Sequence, residues 1–233
     1  MAEWRATLPV KLASALRDRA DGSASAPVRT SSALLLASAH AHGRGLWSPL
    51  YLHGDGERIA RGLSRFREGA WLEADADSSL RIVSDGTAAW SALSAPIDDD
   101  GAAVRPFALI DGGRWSVAGA SARIAGLSQR SANGGVRSLQ VAGGASGLTE
   151  LCDAGVPIIA SWADFTIDDA SGRFVGRVQL GAWRGRPLAV GTRVSGNAFS
   201  VIAHAQRSRE QVWQGDVYGP AALLTDRVTV DGP

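Results

Sequence analysis

Lysine is almost missing from this chain: of 24 basic residues, Lys11 alone is not arginine. A Walker-type phosphate loop requires a Gly-Lys-Ser/Thr step. Lys11 lies between Val10 and Leu12, which excludes that route to nucleotide chemistry. A pyridoxal-phosphate enzyme would have to use the same Lys11 as its Schiff-base residue. Cysteine is equally scarce. With Cys152 alone, neither an intrachain disulfide nor a cysteine zinc cluster can form. An excess of one charge is lacking too. The formal net charge is +1 and the arginines are scattered, so nothing marks a nucleic-acid or anionic-membrane partner. The most apolar stretch, residues 32–39, is far too short to span a bilayer. Arg17, Asp18 and Arg19 deny the N-terminus the apolar core of a signal peptide, and a cytoplasmic protein is expected.

What is present is ordinary for a globular protein: 45% hydrophobic and 20% charged residues over 233 positions. The 28 glycines and 9 prolines punctuate the chain without clustering, which suits short strands joined by tight turns. Thr7 caps a predicted helix with Pro9 in its first turn, and Leu8, Leu12, Ala15 and Leu16 share one face. Residues 20–31 read as a flexible linker. Residues 32–52 are apolar, with a periodicity that fits helix or strand. Ile59, Leu63 and Phe66 stand at helical spacing within residues 56–68.

From about residue 70 onward the pattern is of strands. Residues 107–110 and 114–118 flank Asp111-Gly112-Gly113 as a hairpin, and residues 174–183 and 187–194 flank Arg184-Gly185-Arg186 as another. Residues 136–141, 156–165, 212–218 and 227–230 also read as strands, and 197–205 as a helix with Phe199, Ile202 and Ala203 on one face. The expected architecture is mainly β (α+β). A helix, linker and apolar segment over residues 1–60 would be appended to an antiparallel β-rich domain over residues 61–233.

Few residues suggest chemistry. His40 and His42 would share one face of a strand, a spacing that zinc and iron sites use, but no third ligand stands near them in sequence and a structural role is favoured. Asp98, Asp99 and Asp100 lack the alternating oxygen ligands of a calcium loop and read as a solvated turn. Gly119-Ala120-Ser121-Ala122-Arg123 approaches a nucleophile elbow but ends in arginine, in a context of strand and turn. Cys152 reads as a buried inert thiol. Eight tryptophans are expected mostly in the core, with exposed ones marking a partner surface.

Four stretches, taken in order, carry a resemblance. They are Leu63-Ser64-Arg65-Phe66 with Gly69; Asp98-Asp99-Asp100-Gly101 with Leu109-Ile110-Asp111-Gly112-Gly113; Ser131-Ala132-Asn133-Gly134-Gly135-Val136-Arg137; and the run from Phe165 to Phe174 with Ser195-Gly196-Asn197-Ala198-Phe199. Their order and spacing over about residues 60–233 resemble the C-terminal region of the TldD/PmbA peptidase family. Catalytic members of that family carry a His-Glu-x-x-x-His helix, whose spacing lets two imidazoles grip one zinc, and a third ligand, cysteine, near the C-terminus. Here no histidine is followed by glutamate, and Val217-Tyr218-Gly219-Pro220 holds no cysteine.

The resemblance therefore implies a shortened, metal-free relative with no catalytic residue, no metal ligand and no cofactor of its own. Its expected partner is a metal-bearing TldD-like subunit that holds the zinc, in a heterodimer acting on a peptide or an amino-acyl or peptidyl natural-product intermediate. Asp98, Asp99, Asp100, Asn133, Arg137 and Asn197 are the residues expected to face substrate or partner. Two alternatives are an independent amide hydrolase with a divergent site around His40 and His42, and a binding module without an enzyme partner.

Overall fold

The computed structural model describes residues 25, 27–89, 91–128 and 130–232, with the side chains at 42 and 43 left aside. The predicted N-terminal helix, Trp4 and Trp90 lie outside the described residues. The fold begins within the stretch expected as linker. Strand β1 (Val28–Thr30) is followed by β2 (Ala33–Leu36), the short helix α1 (Ala37–His40), a 3-10 turn (His42–Trp47), α2 (Ser48–Gly54) and α3 (Gly56–Ala60). The ambiguous apolar segment is thus strand first and helix after. Its lack of alternation has a physical cause. β2 is buried on both faces, with Leu35 in the main core and Leu34 and Leu36 in a second cluster on the sheet's other side.

The helix expected through residue 68 stops at Ala60, because Gly62 takes a left-handed φ of 71°. Leu63, expected on its apolar face, is exposed, while Phe66 is buried. β3 (Ile82–Ser84), β4 (Phe107–Asp111), β5 (Arg114–Trp115), helix α4 (Ala122–Ser128), β6 (Leu139–Val141) and helix α5 (Leu148–Cys152) follow. Then come the long hairpin of β7 (Ile158–Ile167) and β8 (Arg173–Trp183), the short β9 (Arg186–Pro187), β10 (Arg193–Asn197) and helix α6 (Ala198–His204). The chain closes with β11 (Gln206–Arg207), β12 (Gln211–Gln214), β13 (Val217–Pro220), β14 (Ala222–Thr225) and β15 (Val228–Gly232). Residues 212–218, expected as one strand, are two, because the chain turns between them at Gly215, whose φ is 59°.

The architecture is mainly β, as expected, and mostly antiparallel. One sheet runs β1-β15-β10-β8-β7-β2-β14-β11 with β9 beside β8, and the other β12-β13-β6-β3-β4-β5. Two pairings are parallel, β2 with β7 and β6 with β13. The main core draws on both sheets: Leu35, Phe174, Val194 and Val230 from the larger, Ile82, Leu109 and Val217 from the smaller, with Trp47, Leu50 and Phe199 from the helices. The second cluster packs α5 against β2, β7 and β14. Both expected hairpin turns are present, with second strands shorter than expected, Arg114–Trp115 for 114–118 and Arg186–Pro187 for 187–194, and in each the turn pair has positive φ, as a type I′ turn requires: Gly112 and Gly113, then Arg184 and Gly185.

Gly172, at the tip of the β7–β8 hairpin, combines a φ of 74° with a close approach, since a Cβ there would lie 2.5 Å from the Phe199 ring. Gly185 has the same φ of 74° and open space around it. Gly172→Ala should therefore cost about 2–4 kcal/mol in urea unfolding, against about 1 kcal/mol for Gly185→Ala. Equal losses would show that backbone strain alone, and not the Phe199 contact, fixes the glycine.

Candidate functional site

Three of the six residues expected to face substrate or partner, Asp98, Asp100 and Asn133, converge on one loop, residues 118–123, from segments far apart in sequence. Asp98 is buried, and its carboxylate accepts three backbone N–H groups: Asp100 at 3.0 Å, Ala102 at 2.8 Å and Ala122 at 3.1 Å. Asp100 accepts the amide of Arg123 at 3.1 Å. The Ser121 hydroxyl and then that Arg123 amide hold the Asp100 carboxyl below its ordinary range. Both carboxylates thus bond the first-turn amides of α4, the groups that a helix leaves without internal partners. Asp99 between them is exposed.

Asn133 approaches from the other side. Its Oδ1 accepts the amides of Ala120 and Gly135 at 2.8 and 3.2 Å, and its Nδ2 donates to the Ala118 carbonyl at 2.9 Å. Arg137 completes the knot by donating to the carbonyls of Gly134 at 3.0 Å and Leu93 at 3.3 Å. Ser121, weighed as a nucleophile, sits at the entry to α4 and not in strand and turn. Its hydroxyl is bonded to Asp100.

Asn197 belongs to a second knot. Its Oδ1 caps α6 by accepting the Phe199 amide at 2.9 Å, and its Nδ2 donates to the Ser171 carbonyl at 2.9 Å. The sequence reading did not single out His53, which ties this knot to α2. Its Nδ1 accepts the amide of Arg65 at 3.0 Å, so the proton is on Nε2, which donates to the Ala170 carbonyl at 3.0 Å. Burial is the first cause that lowers the His53 pKa. The ring lies 5.4 Å from that of Phe199, and the Arg65 guanidinium sits 4.0 Å from the same phenyl centroid. Ser64 donates to the His53 carbonyl at 2.6 Å. The first and fourth stretches of the resemblance thus meet through a residue outside both.

His40 and His42 do not share a strand face: His40 ends α1 and His42 opens the 3-10 turn. The His40 ring is buried. Its Nδ1 accepts the indole N–H of Trp47 at 3.2 Å, so Nε2 carries the proton and donates to the Pro220 carbonyl at 3.1 Å. Burial pulls its pKa down from 6.5 to about 4. His204 has both ring nitrogens 2.9 Å from carbonyl oxygens, those of Ser200 and Ala74. The zinc of the family's catalytic members does not fit these donors. No three His, Cys, Asp or Glu side chains among the described residues converge, and both ring nitrogens of His40 and of His53 are committed elsewhere. Cys152 is buried in the second apolar cluster.

A mostly β frame tied by side-chain-to-backbone knots is the class that the geometry defines, and comparison places it. The family profile of the PmbA/TldA metallopeptidase C-terminal domain matches residues 35–232, so the chain belongs to that family. The match begins some way before the expected residue 60 and takes in β2 and helices α1 to α3. TldE from Thermococcus kodakarensis has the same fold at a TM-score of 0.71 and 17% identity, over 89% of this chain and 51% of that one. A protein described as a candidate modulator of DNA gyrase, from Thermotoga maritima MSB8, matches at 0.74 and 18% identity, over 90% and 51%. A second protein so described, from Bacteroides thetaiotaomicron VPI-5482, matches at 0.69 and 14%, over 91% and 49%. The chain spans about half the length of each. No protein of curated function matches it.

Two predictions follow from the knots. In the unfolded chain His40 takes up a proton near 6.5, and in the folded chain only near 4. Stability is therefore full above pH 6.5 and falls as pH drops toward 4, by roughly 3 kcal/mol in all. Urea unfolding at several pH values should show this slope, and a His40→Gln variant should lack that part of it; identical slopes would refute the buried neutral ring. Asp98→Ala should cost about 2–3 kcal/mol by orphaning three amides, while Asp99→Ala should stay within about 0.5 kcal/mol. Equal effects would refute the division of the triplet into one anchoring and one exposed carboxylate.

Proposed function

We propose that this chain is the non-catalytic partner in a heterodimer with a metal-bearing TldD-like subunit. The substrate would be a peptide or an amino-acyl or peptidyl natural-product intermediate, and the cytoplasm the place of work. The chain's part is structural: it walls the substrate path, excludes water and holds an extended substrate. The observation that carries this reading is the commitment of both ring nitrogens of His40 and of His53 to protein partners, in a member of a metallopeptidase family. An imidazole whose nitrogens bond indole, amide and carbonyl groups has no lone pair to offer a metal without breaking the fold around it. The same commitment weighs against an independent hydrolase built on His40.

Co-expression with a chain that carries the His-Glu-x-x-x-His helix, followed by size exclusion and elemental analysis, tests the proposal. The expected outcome is one co-eluting complex, with zinc bound by the partner and an interface on the order of 2,000 Å² or more. About one zinc held per isolated copy of this chain would sink it. So would a soluble monomer beside a partner that is fully active alone, and that result would leave a free binding module.

A further inference from the structure

The side of the larger sheet that α5 covers is not fully closed. A cleft of about 300 Å³ lies between the end of α5 and the turn that joins β8 to β9. Cys152, Val156, Ile158 and Ala182 line it, and on the hairpin side stand Trp183 and Arg184. Cys152, Ile158 and Ala182 belong to the second apolar cluster and Val156 packs against it, so the cleft is where that cluster stays open. Small-molecule sites run from about 300 Å³ upward and are mostly apolar, with a few placed polar groups.

The charged group at this cleft is Arg184, and its backbone is unusual. Its φ of 51° lies in the left-handed region, where asparagine, aspartate or glycine is the usual occupant of a type I′ turn. Arg44 also has positive φ, and there the fold uses the side chain: the guanidinium lies 4.0 Å from the Tyr51 centroid and 3.5 Å from Asp216. Arg184 lies 4.6 Å from the Trp183 centroid, and among the described residues it makes no ion pair. The indole N–H of Trp183 donates to the Gly155 carbonyl at 3.0 Å, which ties the hairpin to the loop after α5 and fixes the ring beside the guanidinium. A residue held in a costly conformation without an ion pair to justify it points to a use for its side chain.

We infer that this cleft binds a small apolar carboxylic acid, with its body against Cys152, Val156, Ile158 and Ala182 and its carboxylate on the Arg184 guanidinium. The two parts of the ligand answer the two parts of the site. Burial of the apolar body supplies affinity. The guanidinium adds charge-assisted hydrogen bonds and sets which end of the ligand enters first. A neutral molecule of the same shape keeps the first contribution and loses most of the second. Binding there needs no second chain, so it stands or falls apart from the partner-subunit reading.

Proton–nitrogen correlation NMR of the chain, titrated with 2-naphthoate and separately with 2-naphthamide, tests this. The Trp183 indole signal, identified as the one that a Trp183→Phe variant lacks, reports on the cleft. Naphthoate should shift it saturably, together with the backbone amides of Val156, Arg184 and Gly185. The indole signals of Trp47 and Trp115, buried in the main core, should stay in place. The uncharged amide should bind about ten-fold more weakly or worse. An Arg184→Gln variant, which keeps a side chain at the same turn position, should bind naphthoate about ten-fold more weakly and naphthamide as before, which separates loss of the charge from loss of the fold. The absence of a saturable shift at Trp183 would overturn the inference. Equal affinity for the acid and the amide would do the same, as would undiminished naphthoate binding by the Arg184→Gln variant.

Discussion

A buried backbone amide must find a hydrogen-bond partner, and over the middle of this chain secondary structure supplies few of them. Among the described residues between 61 and 138 there are three short strands and one short helix, β3, β4, β5 and α4. Polar side chains do the rest. The carboxylate of Asp98 serves three amides, Asn133 serves both sides of a loop, and Ser64 and His53 bind each other's segment. Each acts like a short piece of ladder in which one side is a side chain. Such a bond adds about 1 kcal/mol when made and costs more when one partner is removed, so a side chain that serves several amides is expensive to lose.

The same demand fixes the histidines. His40 and His53 carry the same tautomer for the same reason, a donor aimed at Nδ1 and a carbonyl at Nε2. Adding a proton to either ring would set N–H against N–H and place a cation in a buried site. Arg207 shows the limit of the device. It is buried, and its Nη2 bonds Asp77 at 2.9 Å and Ser79 at 2.7 Å, but Nε and Nη1 find no partner among the described residues. It links β11 of the larger sheet to the loop that precedes β3 of the smaller one, which gives the two sheets a polar tie beside their shared core.

Local features of the fold were legible in the sequence. Asp111-Gly112-Gly113 and Arg184-Gly185-Arg186 announce hairpins because positive φ has few tolerant residues, and Asn197 announces a helix because its side chain caps two residues ahead. Features that depend on distant partners were not. α4 carries its N-terminal acceptors 24 residues upstream, on Asp98, so nothing around Ser121 signals a helix. β2 lacks alternation because it is covered on both faces, a fact about its neighbours. The polar residues of the candidate site stood out by type. Their geometry shows bonds to backbone, and an isolated motif cannot tell a carboxylate that anchors a loop from one that waits for a ligand.

That distinction bears on how the domain keeps the family's fold. The knots around residues 118–123 and around Phe199 run from side chain to backbone, and the two sheets share one apolar core. The outer edge of β7, by contrast, contributes no backbone bond to either knot, while Trp162 and Phe165 beneath it are fixed by packing. Positions that a fold holds rigid without using their outward groups are available to a second chain at little cost to stability. Among the described residues, one stretch of backbone so placed lies along β7, where β2 turns away.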